Sequence, residues 1–164
     1  MFNTLLKEAD AVGKLCLAKN LSIASAESCT GGQIAWLLTS IAGSSNWFER
    51  GFVTYSNEAK HENLGVPMEL IKTYGAVSEE TALAMAEGAL AHSKADVSIV
   101  TTGVAGPAGG TAEKPVGTVW IAVCQRGTKA EAQKFVFSGD RLSIRDQACM
   151  QALIGLKQIP IALP

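Results

Sequence analysis

Two adjacent side chains in Ala26-Glu27-Ser28-Cys29-Thr30-Gly31-Gly32 are able to attack a carbonyl carbon: the Ser28 hydroxyl and the Cys29 thiol. The stretch falls where an apolar, partly small-residue strand pattern over 21–27 hands over to an apolar helical pattern over 33–43. In open α/β sheets ligands gather at such strand ends. A helix start presents free backbone N–H groups, here Thr30 to Gly32, which could hold the oxyanion of an acyl transfer, and the glycines let a substrate approach the backbone. A serine or threonine ahead of a helix is equally an ordinary cap, so the segment alone leaves both readings open.

A serine nucleophile needs a base. Histidine is scarce. His92 closes an alanine-rich helix, where a cation at the C-terminus is sufficient explanation, and His61 reads as an exposed polar position. Lys60 lies five residues after Tyr55, on the helix that follows a strand. Burial would lower its pKa and make it a base, with Tyr55 able to relay a proton from Ser28. Taken alone, Lys60 reads as a solvated helix lysine. A third segment, 101–110, is a loop of glycines and alanines around one proline, containing Thr102, Gly103 and Gly106. It lacks the lysine ending of a phosphate-binding P-loop and opens no helix, so a structural turn and a ligand loop fit it equally. A fourth places Arg141 and Arg145 four residues apart near the start of the last helix. Paired guanidinium groups there suit a phosphate; ion pairing with Asp140 and Asp146 explains them as well.

These residues need elements to carry them. Helical spacing predicts a helix over 3–19, stopped at Asn20, and further helical pieces over 57–65, up to Tyr74, and from Ser78 to about His92. Strand patterns fall at 47–56, 95–103, 116–124 and 132–138, the last two forming a hairpin around Arg126-Gly127-Thr128. The final helix spans about 139–158, with Asp140 as its N-cap and Ile144, Ala148, Ala152, Gly155 and Ile159 on one face. Early strands separated by helices imply parallel pairing, and the late hairpin adds an antiparallel element. The expected fold is a three-layer α/β/α sandwich around a mixed, mostly parallel sheet of about five strands. With 164 residues and neither a linker nor a repeat, one domain over 1–164 is expected.

Composition narrows the function. Apolar residues make up 48% of the chain and the net charge is −1 without a basic block, which argues against a nucleic-acid surface. Cys16, Cys29, Cys124 and Cys149 are too widely spaced for a zinc site, so no metal is expected. The first twenty residues carry charges in place of a signal peptide's apolar region, and no run is long enough to span a membrane. A cytoplasmic protein with reduced thiols is the expectation, and a mean hydropathy of +0.19 points to a homo-oligomer.

Together, "AESCTGG", "TYSNEAKHENLGV", "AVSEETALAMAEGA", "TTGVAGPAGGTAEKPVGTVWIAV" and "GDRLSIR" resemble the C-terminal domain family of the competence-damage-inducible protein CinA, in order and over nearly the whole chain. The resemblance does not extend to the molybdopterin-binding-like N-terminal domain of longer members. It implies a nicotinamide-nucleotide amidase, which converts nicotinamide mononucleotide and water to nicotinate mononucleotide and ammonia, without a cofactor. It implies Ser28, Tyr55 and Lys60 as the catalytic group, Thr102 in the glycine loop, and a late arginine, Arg141 or Arg145, on the substrate. In the expected mechanism neutral Lys60 accepts the Ser28 proton, directly or through Tyr55. Backbone N–H groups near Thr30, Gly31 and Gly32, or the Thr102 hydroxyl, hold the oxyanion. The loop from Gly103 and the arginines hold the phosphate. The alternatives are a nucleotide-binding or competence-related regulatory module without turnover, and an amidase for another substrate. Cys29 remains the rival nucleophile.

Overall fold

A computed structural model of the chain describes residues 1–159; the last five residues of the expected 1–164 domain lie outside the described part. In chain order the elements are α1 (Phe2–Lys19), β1 (Ile23–Glu27), α2 (Gln33–Thr39), a 3-10 turn (Ser44–Asn46), β2 (Phe48–Val53), α3 (Asn57–Leu64), α4 (Met68–Tyr74), α5 (Glu79–Ala91), β3 (Val97–Gly103), β4 (Thr118–Gln125), β5 (Glu131–Val136) and α6 (Arg141–Lys157). Asn20 ends α1 in the left-handed conformation, and the Asp140 carboxylate caps α6 by accepting from the Ser143 N–H.

The five strands form one sheet in the order β2-β1-β3-β4-β5. β1 pairs in parallel with both β2 and β3, while β3–β4 and β4–β5 are antiparallel. Four strands therefore point one way and β4 alone is reversed. The sheet is mostly parallel by strand direction, and its pairings divide evenly.

Burial alternates across the sheet with the strand period. Ile23, Ile99 and Ile121 face the layer of α1, α2 and α6, meeting Leu5, Val12, Ile34, Ile144 and Leu153. Ala24, Ala26, Val100 and Ala122 face α3, α4 and α5, meeting Leu64, Ile71, Met85 and Ala86. Small residues on both sides of this second contact let α5 lie close to the sheet. β1 is central and covered on both faces, so all five of its residues are buried, Ser25 and Glu27 included.

Among the helices, α2 is the most shortened against expectation. α2 stops at Thr39 and not near Gly43. The Thr39 and Ser40 hydroxyls donate back to the Ala35 and Trp36 carbonyls, which satisfies the last turn without further helix. The strands begin or end one to three residues inside or beyond the expected limits. For the site, what counts is that β1, β2 and β3 end together at one edge of the sheet, beside the start of α6.

Candidate active site

β1 ends in a turn that presents Ser28, whose N–H donates to the Thr101 carbonyl of β3 at 2.9 Å. β2 is followed by Thr54, Tyr55 and then Ser56, whose hydroxyl caps α3 by accepting from the Ala59 N–H at 3.0 Å. The cap starts the helix so that Lys60 and Leu64, four residues apart, share its buried face. Lys60 is 1% exposed, contrary to the solvated reading of that residue taken alone.

The Lys60 Nζ lies 3.0 Å from Ser28 Oγ, 2.9 Å from the Thr54 carbonyl and 3.1 Å from the Tyr55 carbonyl. Carbonyls cannot donate, so the Thr54 and Tyr55 oxygens can take the two N–H bonds of a neutral amine, with the Ser56 carbonyl further off at 3.5 Å, and the lone pair is then free to accept from the Ser28 hydroxyl. Burial lowers the Lys60 pKa from 10.5 to about 8, against a smaller opposing effect from Cys29. A base is thereby available near neutral pH, aimed at a hydroxyl.

Ser28 and Lys60 open into a cleft of about 300 Å³. Its walls include Tyr55, Ala76, Thr102, Gly103, Gly106 and Arg141. Gly106 has φ +76°, and a Cβ there would meet Val116 Cγ1 at 2.4 Å, so the loop needs glycine at this point. The Arg141 guanidinium donates to the Gly106 carbonyl at 2.8 Å and to the Tyr55 hydroxyl at 3.0 Å, bridging opposite walls.

Several expected roles do not match this geometry. The Tyr55 hydroxyl does not stand between Ser28 and Lys60: these two touch directly, and the Tyr55 hydroxyl accepts from Arg141. The Thr102 side chain lines the cleft, but its hydroxyl donates to the Ala76 carbonyl at 2.8 Å. Thr30 is fully buried, with its hydroxyl between Glu27 and Thr101. Gly31 and Gly32, at φ +59° and +96°, turn the chain into α2 and do not line the cleft. Further along, the Glu27 carboxylate accepts from the Ile34 and Ala35 N–H groups at the start of α2. The Gly31 N–H donates to the Ser28 carbonyl. The arginine pair divides: Arg141 reaches the cleft, whereas Arg145 donates to the Thr30 carbonyl at 2.9 Å and braces the turn.

Cys29 borders the cleft, yet burial pushes its thiol up to about 12, with the Glu27 carboxylate adding to the rise. A thiol held protonated is a poor nucleophile. His61 and His92 serve their own helix ends, with ring nitrogens 2.9 Å and 2.8 Å from the Val66 and Gly88 carbonyls. Among the described residues no cluster of three or more His, Cys, Asp or Glu is placed to hold a metal ion, and no helix is long and apolar enough to cross a membrane. Glu27 and Ala76 were missed by sequence reasoning, whereas of the two expected routes between Lys60 and Ser28 the structure shows the direct one. The available signals were an acid inside an apolar strand and, for the burial of Lys60, its four-residue spacing from Leu64.

Fold and site thus define a three-layer α/β/α protein with a lysine–serine pair at the carboxyl ends of its parallel strands. The family model of the CinA C-terminal domain matches residues 6–159, and the chain belongs to that family. It is 48% identical over 154 residues to the nicotinamide-nucleotide amidohydrolase PncC of Escherichia coli K12, covering 94% of this chain and 93% of the relative. A CinA-like protein of Syntrophobacter fumaroxidans is 51% identical over 90% of this chain, which corresponds to 35% of that longer protein. Among solved structures, the competence/damage inducible protein CihA from Agrobacterium tumefaciens superposes with a TM-score of 0.90 at 44% identity, covering 94% of this chain and 96% of that one.

Proposed function

We propose that this chain is a nicotinamide-nucleotide amidase that hydrolyses the carboxamide of nicotinamide mononucleotide to nicotinate mononucleotide and ammonia. The observation that carries the reading is the contact of the buried Lys60 amine with Ser28 Oγ at 3.0 Å, in a cleft that also holds an arginine. The full-length similarity to an amidohydrolase of that name supports the substrate.

Neutral Lys60 takes the Ser28 proton as Oγ bonds to the carboxamide carbon. The tetrahedral adduct collapses with cleavage of the carbon–nitrogen bond, and the departing nitrogen takes the proton from Lys60 to leave as ammonia. Water, deprotonated by the same amine, then cleaves the ester and returns the proton to Ser28. The pyridinium charge polarises the amide in the substrate itself. Arg141 and the loop from Gly103 to Gly109 take the ribose phosphate. To do so Arg141 exchanges at least one of its present protein acceptors for phosphate oxygen.

The test is ammonia release from nicotinamide mononucleotide, nicotinamide, its riboside and the dinucleotide, each with and without EDTA. The mononucleotide should be the best substrate, and EDTA should leave its rate unchanged, since base and nucleophile are both side chains. Calorimetric binding of the mononucleotide without ammonia release would instead support a regulatory module, and preference for another amide would replace the substrate.

A further inference from the structure

Glu27 is the last residue of β1 and immediately precedes the nucleophile. It is fully buried, and the catalytic steps above do not use it. Its Oε1 accepts from the Thr30 hydroxyl at 2.6 Å and the Ile34 N–H at 2.8 Å, and its Oε2 accepts from the Ala35 N–H at 3.0 Å. Thr30 has a single hydroxyl hydrogen, which goes to Glu27. The 2.7 Å contact between Thr30 and Thr101 therefore has the Thr101 hydroxyl as donor. The chain of bonds runs Thr101 to Thr30 to Glu27 and crosses under the Ser28 turn from β3 to α2.

A simple helix cap would come from the residue before α2. That residue is Gly32, which has no side chain to offer. The cap comes instead from upstream of the nucleophile, so the side chain that satisfies α2 also fixes the loop of chain between Glu27 and Ile34. The Ser28 main chain is tied to the same residue, Thr101, through its N–H at 2.9 Å. Ser28 is thus set relative to β3 and α2 by one buried network, while Lys60 is set by the carbonyls that follow β2. Alignment of the pair depends on both. Misplacing reacting groups by about 1 Å costs on the order of 100-fold in rate.

We propose that Glu27 is the positioning residue for Ser28: acting through Thr30 and Thr101, its carboxylate holds the nucleophile's turn in register with Lys60. The proposal rests on Ser28 being the nucleophile. Only an acceptor on both oxygens serves here. In Glu27→Gln an amide NH2 faces a backbone N–H or the Thr30 hydroxyl, and the turn must shift.

The test measures Ser28 directly, with a fluorophosphonate probe that phosphonylates serine as fluoride leaves, followed by mass spectrometry of the labelled peptide. Thermal melting reports the folded fraction, and steady-state ammonia release from nicotinamide mononucleotide is read in parallel. Per folded molecule, Glu27→Gln should label Ser28 at least about tenfold more slowly, with kcat for ammonia falling equally and KM changing by less than about twofold. A merely structural role would lower the melting temperature and leave labelling of the folded fraction unchanged, which would overturn the proposal. So would failure of the wild type to label at Ser28. Should Glu27→Gln not fold, Thr30→Val decides: it keeps both backbone bonds of the carboxylate, and slower labelling supports positioning while wild-type labelling refutes it. Slow labelling in the variants without wild-type ammonia release would overturn the substrate reading and leave the positioning role intact.

Discussion

At the scale of single residues, the proposed chemistry depends on how one amine is buried. Lys60 loses water on its way into the cleft but keeps two carbonyl acceptors, so its proton is held less tightly while its direction is fixed. With the pKa lowered to about 8, roughly a tenth of the free enzyme carries the neutral amine at pH 7. The rate constant kcat/KM should therefore rise with a slope of about one in log units up to pH 8 and level off above it; a profile flat from pH 6 to 9 contradicts Lys60 as the base. Lys60→Arg, which stays charged throughout this range, should be inactive. Ser28 was legible from its place between a strand and a helix. The choice between Ser28 and Cys29 was not, because it turns on how deeply the fold buries the Cys29 thiol, with the Glu27 charge adding to the rise in its pKa. The arginine pair was likewise legible as a pair only. Spacing put both on α6, and the packing of α6 against the Ser28 turn separates Arg141 in the cleft from Arg145 beneath it.

At the scale of elements, the site is assembled where β1, β2 and β3 end, and the helices behind them hold those ends in place. One such contact is between α5 and α3: a Cβ on Gly88 would sit 2.0 Å from the carbonyl oxygen of Leu64, the last residue of the helix that carries Lys60. On propensity alone Gly88→Ala should stabilise a helix interior by roughly 0.5–1 kcal/mol. Overpacking against main chain costs more, about 1–3 kcal/mol. The substitution should accordingly lower the melting temperature by several degrees and reduce kcat through displacement of α3; a rise in melting temperature would contradict the contact. Most elements were readable from periodicity and caps: Asn20, Ser78 and Asp140 stand at the helix ends that their types announce, while Ser56, read into the preceding strand, proves to be the cap of α3. α2 was read too long because an apolar run continues past its end, and only the back-bonding of Thr39 and Ser40 stops it. Glu27 was passed over because nothing local to β1 says which amides its carboxylate will meet.

For the molecule as a whole, burying the proposed base, Lys60, is a burden on the fold. The folded pKa of Lys60, about 8, is below its ordinary 10.5, so the cost of burying the charge is fully present below pH 8. Between pH 8 and 10.5 the folded state gives up the proton before the unfolded state does, and the cost is relieved as pH rises. Relative to Lys60→Met, the wild type should gain about 2–3 kcal/mol of stability across that window, whatever the offset between them at neutral pH. Comparing the two proteins cancels the buried cysteines, which both share. Parallel denaturation curves with a constant gap from pH 7 to 10.5 would rule out a depressed lysine. The overall architecture followed from the alternation of strands and helices, since a parallel strand triple with a late hairpin leaves few arrangements. Composition and periodicity did not convey that Ser28 and Lys60, 32 residues apart, touch; the pairing was legible only through the family resemblance of their motifs. The central claim is that this pair cleaves the carboxamide of nicotinamide mononucleotide, and ammonia release by wild type and Ser28→Ala tests it most directly. The account predicts one ammonia per nicotinate mononucleotide from the wild type and a loss of at least about 1,000-fold in the folded variant; an undiminished rate in Ser28→Ala would contradict it.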